Sequence, residues 1–525
     1  MLKQLNHLVT SELFLTLSFV LAAIGGLLFS NRYRLDLEPP RQRSLKGIAI
    51  LLCCFAVLYL VNLDGYQIND DEGGYLYASW RITKGELPYR DFMTPQMPLF
   101  LHTGAALFHY FGPELYVVRL FSVALVLLSA FFLYLLAEEI FNQSCGLFSV
   151  LIYLANYLVY YHSRSFRSDP LMMALCLLGL YFLVRAERHT KWYYYLLAGL
   201  LYGTATSFKL FGLFPLLGVG LLWLTQLVQG EINLGKLVYK SLMIGIGLVL
   251  VPLFTVGGML LLVPDLYDFL IGHHVKQGST WSTWQVLAKS ITFIVKYMIH
   301  NQVLVALVGI GGYSLAQADN EHRKSGRILL FLPLSLGLFF LLPRPSYNRH
   351  MMYLIPVFSL LAAYGLMSMF TWQRIRLRNL AFALFSVYLI TNLSVDWQRG
   401  HRRETDTQKL AALIKQYVNP NEYVVADYAS LAFHAQRRMP PLLGGASQGS
   451  IASGQTRVED YLENIEKYRV KLVVVQNDWH GTIQTVPDFH KLQEYLKQNY
   501  QLMHHNYKRE KETFDIYLRN GSRPD

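Results

Sequence analysis

Charge is scarce in this sequence. Asp, Glu, Lys and Arg make up 16% of its 525 residues, against 53% hydrophobic residues. A soluble chain of this length would carry more charge, so a soluble multidomain protein is excluded. Cysteine is scarcer still. Cys53, Cys54, Cys145 and Cys176 all lie in or beside apolar runs, and residues 396–525 hold none. That excludes a disulfide framework, and no metal-ligand spacing is present. The four read as small buried hydrophobes. No clear small-x-small cleavage site follows the apolar run 11–30, which therefore reads as a retained first span and not a signal peptide.

What the chain does have is long apolar runs near the length needed to cross a bilayer. Twelve spans are expected, at about 11–30, 45–64, 116–137, 145–161, 169–186, 193–208, 211–228, 240–263, 299–317, 327–343, 350–370 and 377–394. The fold class is an α-helical polytopic membrane protein. Its net charge of +12 does not point to nucleic acid. The tail from residue 396 has 18 Lys/Arg and 16 Asp/Glu, so most of the excess lies in short loops between spans. Arg32, Arg34, Arg41, Arg43, Arg185, Arg188, Lys236, Arg323, Lys324, Arg374 and Arg376 are among the cations of one set of alternate loops. By the positive-inside rule that side is cytoplasmic. Both termini are then extracytoplasmic, and the expected location is the inner (plasma) membrane.

Two domains are expected: a membrane domain over 1–395, with a first external loop at 65–115, and a small extracytoplasmic α/β domain over 396–525. In the latter, "EYVVAD" and "KLVVVQND" are β-branched strand runs, and "VEDYLENIEKY" and "FHKLQEYLKQNY" have helical spacing. "YQLMHHNY" and "TFDIYLRN" also read as strands, and "GGASQGSIASG" as a mobile loop of small residues.

The external loop opens on three acids, Asp70, Asp71 and Glu72. Carboxylates at a bilayer edge are costly unless they are solvated, paired or used. The stretch continues as "GGYLYASWRITKGELPYRDFMTPQMPLF", where aromatic residues such as Tyr75, Tyr77 and Trp80 suit a helix lying along the interface. Other polar oddities share that face: "SRSFRSDP", "SFKLFG" and "PRPSYNRHMMYLIP". His273, His274, His504 and His505 form two adjacent pairs, whose side chains point apart on a regular element, and read as loop or surface residues.

The order of acidic pair, aromatic helix, "GELPYRD", Pro-rich "TPQMPLF" and membrane span resembles the GT-C glycosyltransferases. Within them it is similar to the bacterial branch related to protein O-mannosyltransferases and to the lipid A aminoarabinose transferase. The resemblance is strongest through "SFKLFGLFPL" and weaker afterwards. It implies transfer of a sugar, with inversion, from a polyprenyl-phosphate donor to a protein, lipid or glycan acceptor outside the membrane. It also implies that Asp71 is the base or acceptor-orienting group and Glu72 its partner, with Asp70 leaving the register open by one residue. A base is needed to take the acceptor proton, and cations to stabilise the lipid phosphate that leaves. Candidates for the latter are Arg164, Arg167, Lys209, Arg344 and Arg349, with Tyr75, Asp169, Tyr347 and His350 lining the cavity.

Competing explanations stand beside these. Arg164, Arg167 and Asp169 also suit a charged cap on a span with Pro170 in its first turn. Lys209 also suits snorkelling to headgroups. Arg344, Arg349 and His350 also suit a lipid anchor. Gln96 stands in "TPQMP" where the aminoarabinose branch has Lys, which separates this chain from that substrate. Asp70, Asp71, Glu72 and Asp169 offer oxygens for Mg²⁺ or Mn²⁺, but their spacing does not favour a metal, and no cofactor is expected. A transporter or flippase of lipid-linked saccharide is the alternative. It would show mid-span polar residues and repeated halves, whereas charge here gathers at one face.

Overall fold

The computed structural model describes residues 45–521, apart from 66–67, 69, 273–274, 277–281, 319, 341–347, 372–374, 401–405, 478–480 and 510–511. The expected first span, 11–30, lies outside the described residues. Helix α1 (Lys46–Leu60) leads to α2 (Asp70–Thr83) and α3 (Pro98–Phe111), then to the long α4 (Leu115–Ile140). There follow α5 (Gln143–Leu154), α6 (Tyr157–Ser163), α7 (Ser168–His189), α8 (Trp192–Phe208), α9 (Phe214–Val228) and α10 (Leu234–Pro252). The membrane part ends with α11 (Thr283–His300), α12 (Gln302–Ala316), α13 (Ile328–Phe340), α14 (Ile355–Thr371) and α15 (Ile375–Gly400).

Five of the described helical stretches are long and apolar enough to cross a membrane, or seven if two bent pairs each count as one span. Lys46–Leu60 and Phe382–Ser394 are shorter apolar helices. Two of the expected segments depart from straight spans or loops for local reasons. The expected straight span 145–161 turns by 65° between α5 and α6. Asn156 caps α6 by accepting from the Leu158 amide at 3.1 Å. The backbone groups freed by the bend find side chains: the Tyr59 hydroxyl donates to the Leu154 carbonyl at 2.9 Å, and the Tyr157 amide donates to Asn392 at 3.1 Å. The Tyr388 hydroxyl donates to the Ile152 carbonyl at 2.9 Å. Unpaired backbone groups are not tolerated in lipid, so these four partners make the bend possible. Likewise, the expected loop 264–298 contains α11, which meets α12 at 92°.

Helices α8 and α10 pack closely because of Gly199, Gly203 and Gly247. A Cβ at any of them would strike the facing backbone, as in other small-xxx-small membrane contacts. That packing sets the end of α8, where Lys209 leaves the helix with extended backbone before a short 3₁₀ turn.

Beyond α15 the chain forms α16 (Asp406–Tyr417), β1 (Val424–Ala426), α17 (Ala429–Ala435), α18 (Val458–Lys467), β2 (Leu472–Gln476), α19 (Phe489–Asn499), β3 (Tyr500–Arg509) and β4 (Glu512–Arg519). The sheet order is β1-β2-β4-β3, with β1 and β2 parallel and the rest antiparallel. Side chains alternate across it. Val425, Val473 and Val475 face a core with Ile465 and Leu492, while Val424, Leu472 and Val474 join a core that includes Leu76, Phe100 and Phe108 of the first loop.

The tail therefore shares a hydrophobic core with α2 and α3. Phe433 stacks on Phe108 at 5.4 Å. The Tyr77 hydroxyl accepts from the Met439 amide at 2.6 Å and from Arg81 at 2.8 Å, and Arg81 also donates to the Met439 carbonyl at 3.0 Å. The loop read as mobile is packed here instead: Gly444 lies on the Tyr77 ring and Gly445 against the Met93 carbonyl. Small residues permit that approach, which a side chain would block.

Candidate active site

Helix α2 presents its first residues in two directions. Glu72 points into the protein. Its Oε2 accepts from Arg119 Nη2 at 2.7 Å, and its Oε1 accepts from Arg119 Nε at 2.9 Å and from the Phe166 amide at 2.8 Å. Arg119 also donates to the Leu63 carbonyl at 2.8 Å. Both side chains are fully buried. Two parallel charge-assisted bonds are the strong form of this pair, and here they tie α2, α4, the end of α1 and the 164–167 turn together. Arg119 was not singled out from the sequence. Its only signal is a lone cation four residues into an apolar span.

Asp71 faces the opposite way and is 40% exposed. Its Oδ2 accepts from Arg167 at 3.3 Å and from Arg349. Burial raises its carboxyl, but Arg349 and Arg167 beside it outweigh that and hold it below the ordinary aspartate value. Tyr75, one turn further along α2, stands in the fields of Asp71, Arg167, Arg349 and Asp169, with its ring edge-on to Phe100 at 5.1 Å.

Asp169, in the first turn of α7, is nearly buried. It accepts from Lys209 Nζ at 2.8 Å and from the Tyr353 hydroxyl. The Lys209 ammonium also lies over the Phe211 and Tyr353 rings at 5.5 and 5.8 Å, a favourable placement for a cation. His350 stacks on Phe211 at 5.0 Å. Tyr353 was missed in the sequence, where it reads as one more aromatic residue entering a span.

Asp71, Tyr75, Arg167, Asp169, Lys209, Arg349 and His350 thus share one region, built from α2, α7, the α8–α9 junction and the start of the Arg349–Phe370 span. Arg164 is oriented elsewhere. It is buried and donates to the Tyr160 hydroxyl at 2.6 Å and to the Val61 carbonyl. Arg344, Tyr347, His273 and His274 lie outside the described residues, as does the side chain of Asp70. His504 and His505 lie on β3. Among the described residues no group of three or more His, Cys, Asp or Glu side chains gathers as a metal ion would need.

A small apolar cavity of about 30 Å³ adjoins the polar cluster, with Phe211 and Tyr353 shared between them. Met172, Cys176, Leu177 and Leu332 also line it. The paired charges of the cluster thus border an apolar lining.

Residues 93–256 match the family described as dolichyl-phosphate-mannose-protein mannosyltransferase. The structure is similar to that of ArnT from Cupriavidus metallidurans bound to undecaprenyl phosphate, with a TM-score of 0.65 at 13% identity over 91% of this chain and 99% of that one. It is also similar to the Archaeoglobus fulgidus oligosaccharyltransferase in complex with Zn and sulfate, with a TM-score of 0.56 at 14% identity over 81% of this chain and 67% of that one. The fold is the one that these solved structures share. No curated protein matches the sequence. With this fold, the position of Asp71 at the start of α2 becomes the feature to explain chemically.

Proposed function

We propose that this GT-C protein is an inverting membrane glycosyltransferase that moves a sugar from a polyprenyl-phosphate donor to an extracytoplasmic acceptor. It works at the outer face of the plasma membrane, without a metal. The observation that carries this reading is Asp71 held between Arg167 and Arg349, beside Lys209 and the apolar cavity. The relatives' bound molecules agree with it: the ArnT structure holds undecaprenyl phosphate, and the AglB structure from Archaeoglobus fulgidus holds dolichol-phosphate and an inhibitory peptide.

In the proposed reaction the donor's isoprenoid stays in the lipid beside the helices and its phosphate lies among Arg167, Lys209 and Arg349. The phosphate competes with Asp71 for the two arginines, so donor binding frees the carboxylate and raises its basicity. Asp71 then takes the proton of the acceptor hydroxyl or amine as that atom attacks the anomeric carbon. The bond from that carbon to the phosphate oxygen breaks, and the lipid phosphate leaves with the electron pair, stabilised by the cations. Glu72 holds the helix that aims Asp71. Asp169 orients Lys209. No metal is required in this scheme, because both carboxylates already face cations.

The test is sugar transfer from a polyprenyl-phosphate sugar by the purified full chain in detergent, with and without EDTA. Transfer that is lost in Asp71→Asn supports the reading. Movement of the donor across vesicles with no transfer would replace it with a flippase.

A further inference from the structure

His162 has no part in the scheme above. It sits in the last turn of α6, and the residue is 8% exposed. Its Nδ1 is buried with no hydrogen-bond partner. Buried polar atoms without partners are rare in folded proteins, and each calls for an explanation. An apolar side chain would fill this place without the desolvation cost.

The surroundings suggest one. The charged groups whose fields reach the ring are Arg167, Asp169, Arg349 and Lys209, which are members of the site described above. The backbone connects them too. Ser165 Oγ donates to the His162 carbonyl at 3.5 Å and accepts from Arg167 Nε at 3.3 Å, so the imidazole and the guanidinium hang from one turn. The Tyr161 ring meets the imidazole edge-on at 4.9 Å. Three cations face two carboxylates, Asp71 and Asp169, which leaves one positive charge in excess, and a phosphate monoester supplies both the missing charge and three free acceptor oxygens.

We propose that His162 is a further donor-binding residue, whose Nδ1 hydrogen-bonds a phosphate oxygen of a polyprenyl phosphate lodged among Arg167, Lys209 and Arg349. This rests on the functional reading above and adds a residue to it. The imidazole supplies an N–H from Nδ1, directed to the phosphate and not to the sugar.

Polyprenyl phosphate without a sugar is the probe, and its binding to the full chain in detergent is read by native mass spectrometry and by ligand-induced thermal stabilisation. His162→Phe should weaken binding by roughly tenfold or more, while the unliganded protein melts no lower than wild type. His162→Asn, whose amide reaches about where Nδ1 sits, should bind better than His162→Gln, whose amide reaches about where Nε2 sits. Unchanged binding by His162→Phe would overturn the inference, as would equal binding by the Asn and Gln variants. Weakened binding of the sugar-bearing donor alone would also overturn it, moving the contact to the sugar. If wild type itself does not bind the probe, the functional reading fails. If wild type binds and the variants match it, only the role of His162 fails.

Discussion

Arg119 closes the Nε–Nη2 edge of its guanidinium on Glu72, 47 residues away in sequence, at a point where neither side chain meets solvent. A buried pair of this kind is expensive to break from one side, because the partner is left as an unpaired charge.

Glu72→Ala should therefore destabilise the protein by about 3–5 kcal/mol, read as a lower midpoint of unfolding in detergent. Arg119→Met should do the same, while the double variant should recover part of the loss. If Glu72→Ala melts like wild type yet loses activity, Glu72 acts directly in the chemistry and not through the position of α2.

Asp71→Asn should behave differently. Its carboxylate is partly exposed and its loss leaves no buried cavity, so melting should fall by less than in Glu72→Ala, through loss of the ion pairs alone. Transfer should fall by about 10²–10⁴-fold, the usual contribution of a positioned base. Turnover that survives this substitution would place the base elsewhere.

The pH profile carries a sign. Arg349 and Arg167 depress the Asp71 carboxyl in the folded chain. A depressed carboxylate contributes stability above its ordinary value and loses that contribution as pH falls through the lowered one. Activity should fall on the same acid side. Arg349→Gln removes one of the depressing charges, so its acid limb should move to higher pH. An acid limb that does not move in this variant would argue that another group sets it.

Lys209→Met should raise KM for the donor, because the cation beside Asp169 is lost and the carboxylate is left without its ammonium. A loss of tenfold or more follows from about 1.5–3 kcal/mol for a hydrogen bond to a charged group. Lys209→Arg should retain part of the affinity. Equal donor KM in Lys209→Met and wild type would remove Lys209 from the phosphate site.

Gly445→Val tests the docking of the tail. A side chain at this position meets the Met93 carbonyl, and overpacking of this kind costs about 1–3 kcal/mol. Hydrogen exchange should rise in α2 and in residues 439–445 together, because Tyr77 and Arg81 bond the Met439 backbone. Faster exchange confined to the tail would mean that the two parts are not coupled.

The apolar spans, the polar landmarks and the acids at residues 70–72 were legible in the sequence because burial in lipid demands apolar runs and makes every charge conspicuous. Asp71, Arg167, Lys209 and Arg349 stood out for that reason. The bend after Leu154 was not legible, since Asn156 is one polar residue whose partner Tyr388 lies 232 positions away, and Asn392, which accepts from the Tyr157 amide, lies 235 positions from it. Arg119 and Tyr353 were hidden in apolar runs for the same reason. The small-residue loop near Gly445 read as free because glycine and serine look alike in an open loop and in a tight contact.

Hydrophobic periodicity and the rarity of charge, both local properties, determined that this chain is helical, has helices long and apolar enough to cross a membrane, and sets its conspicuous charges between them. Which acid faces the cations and which is locked away was decided only by tertiary structure. Neighbouring residues on a helix point about 100° apart, so the division of Asp71 from Glu72 depends on what other helices bring to each side.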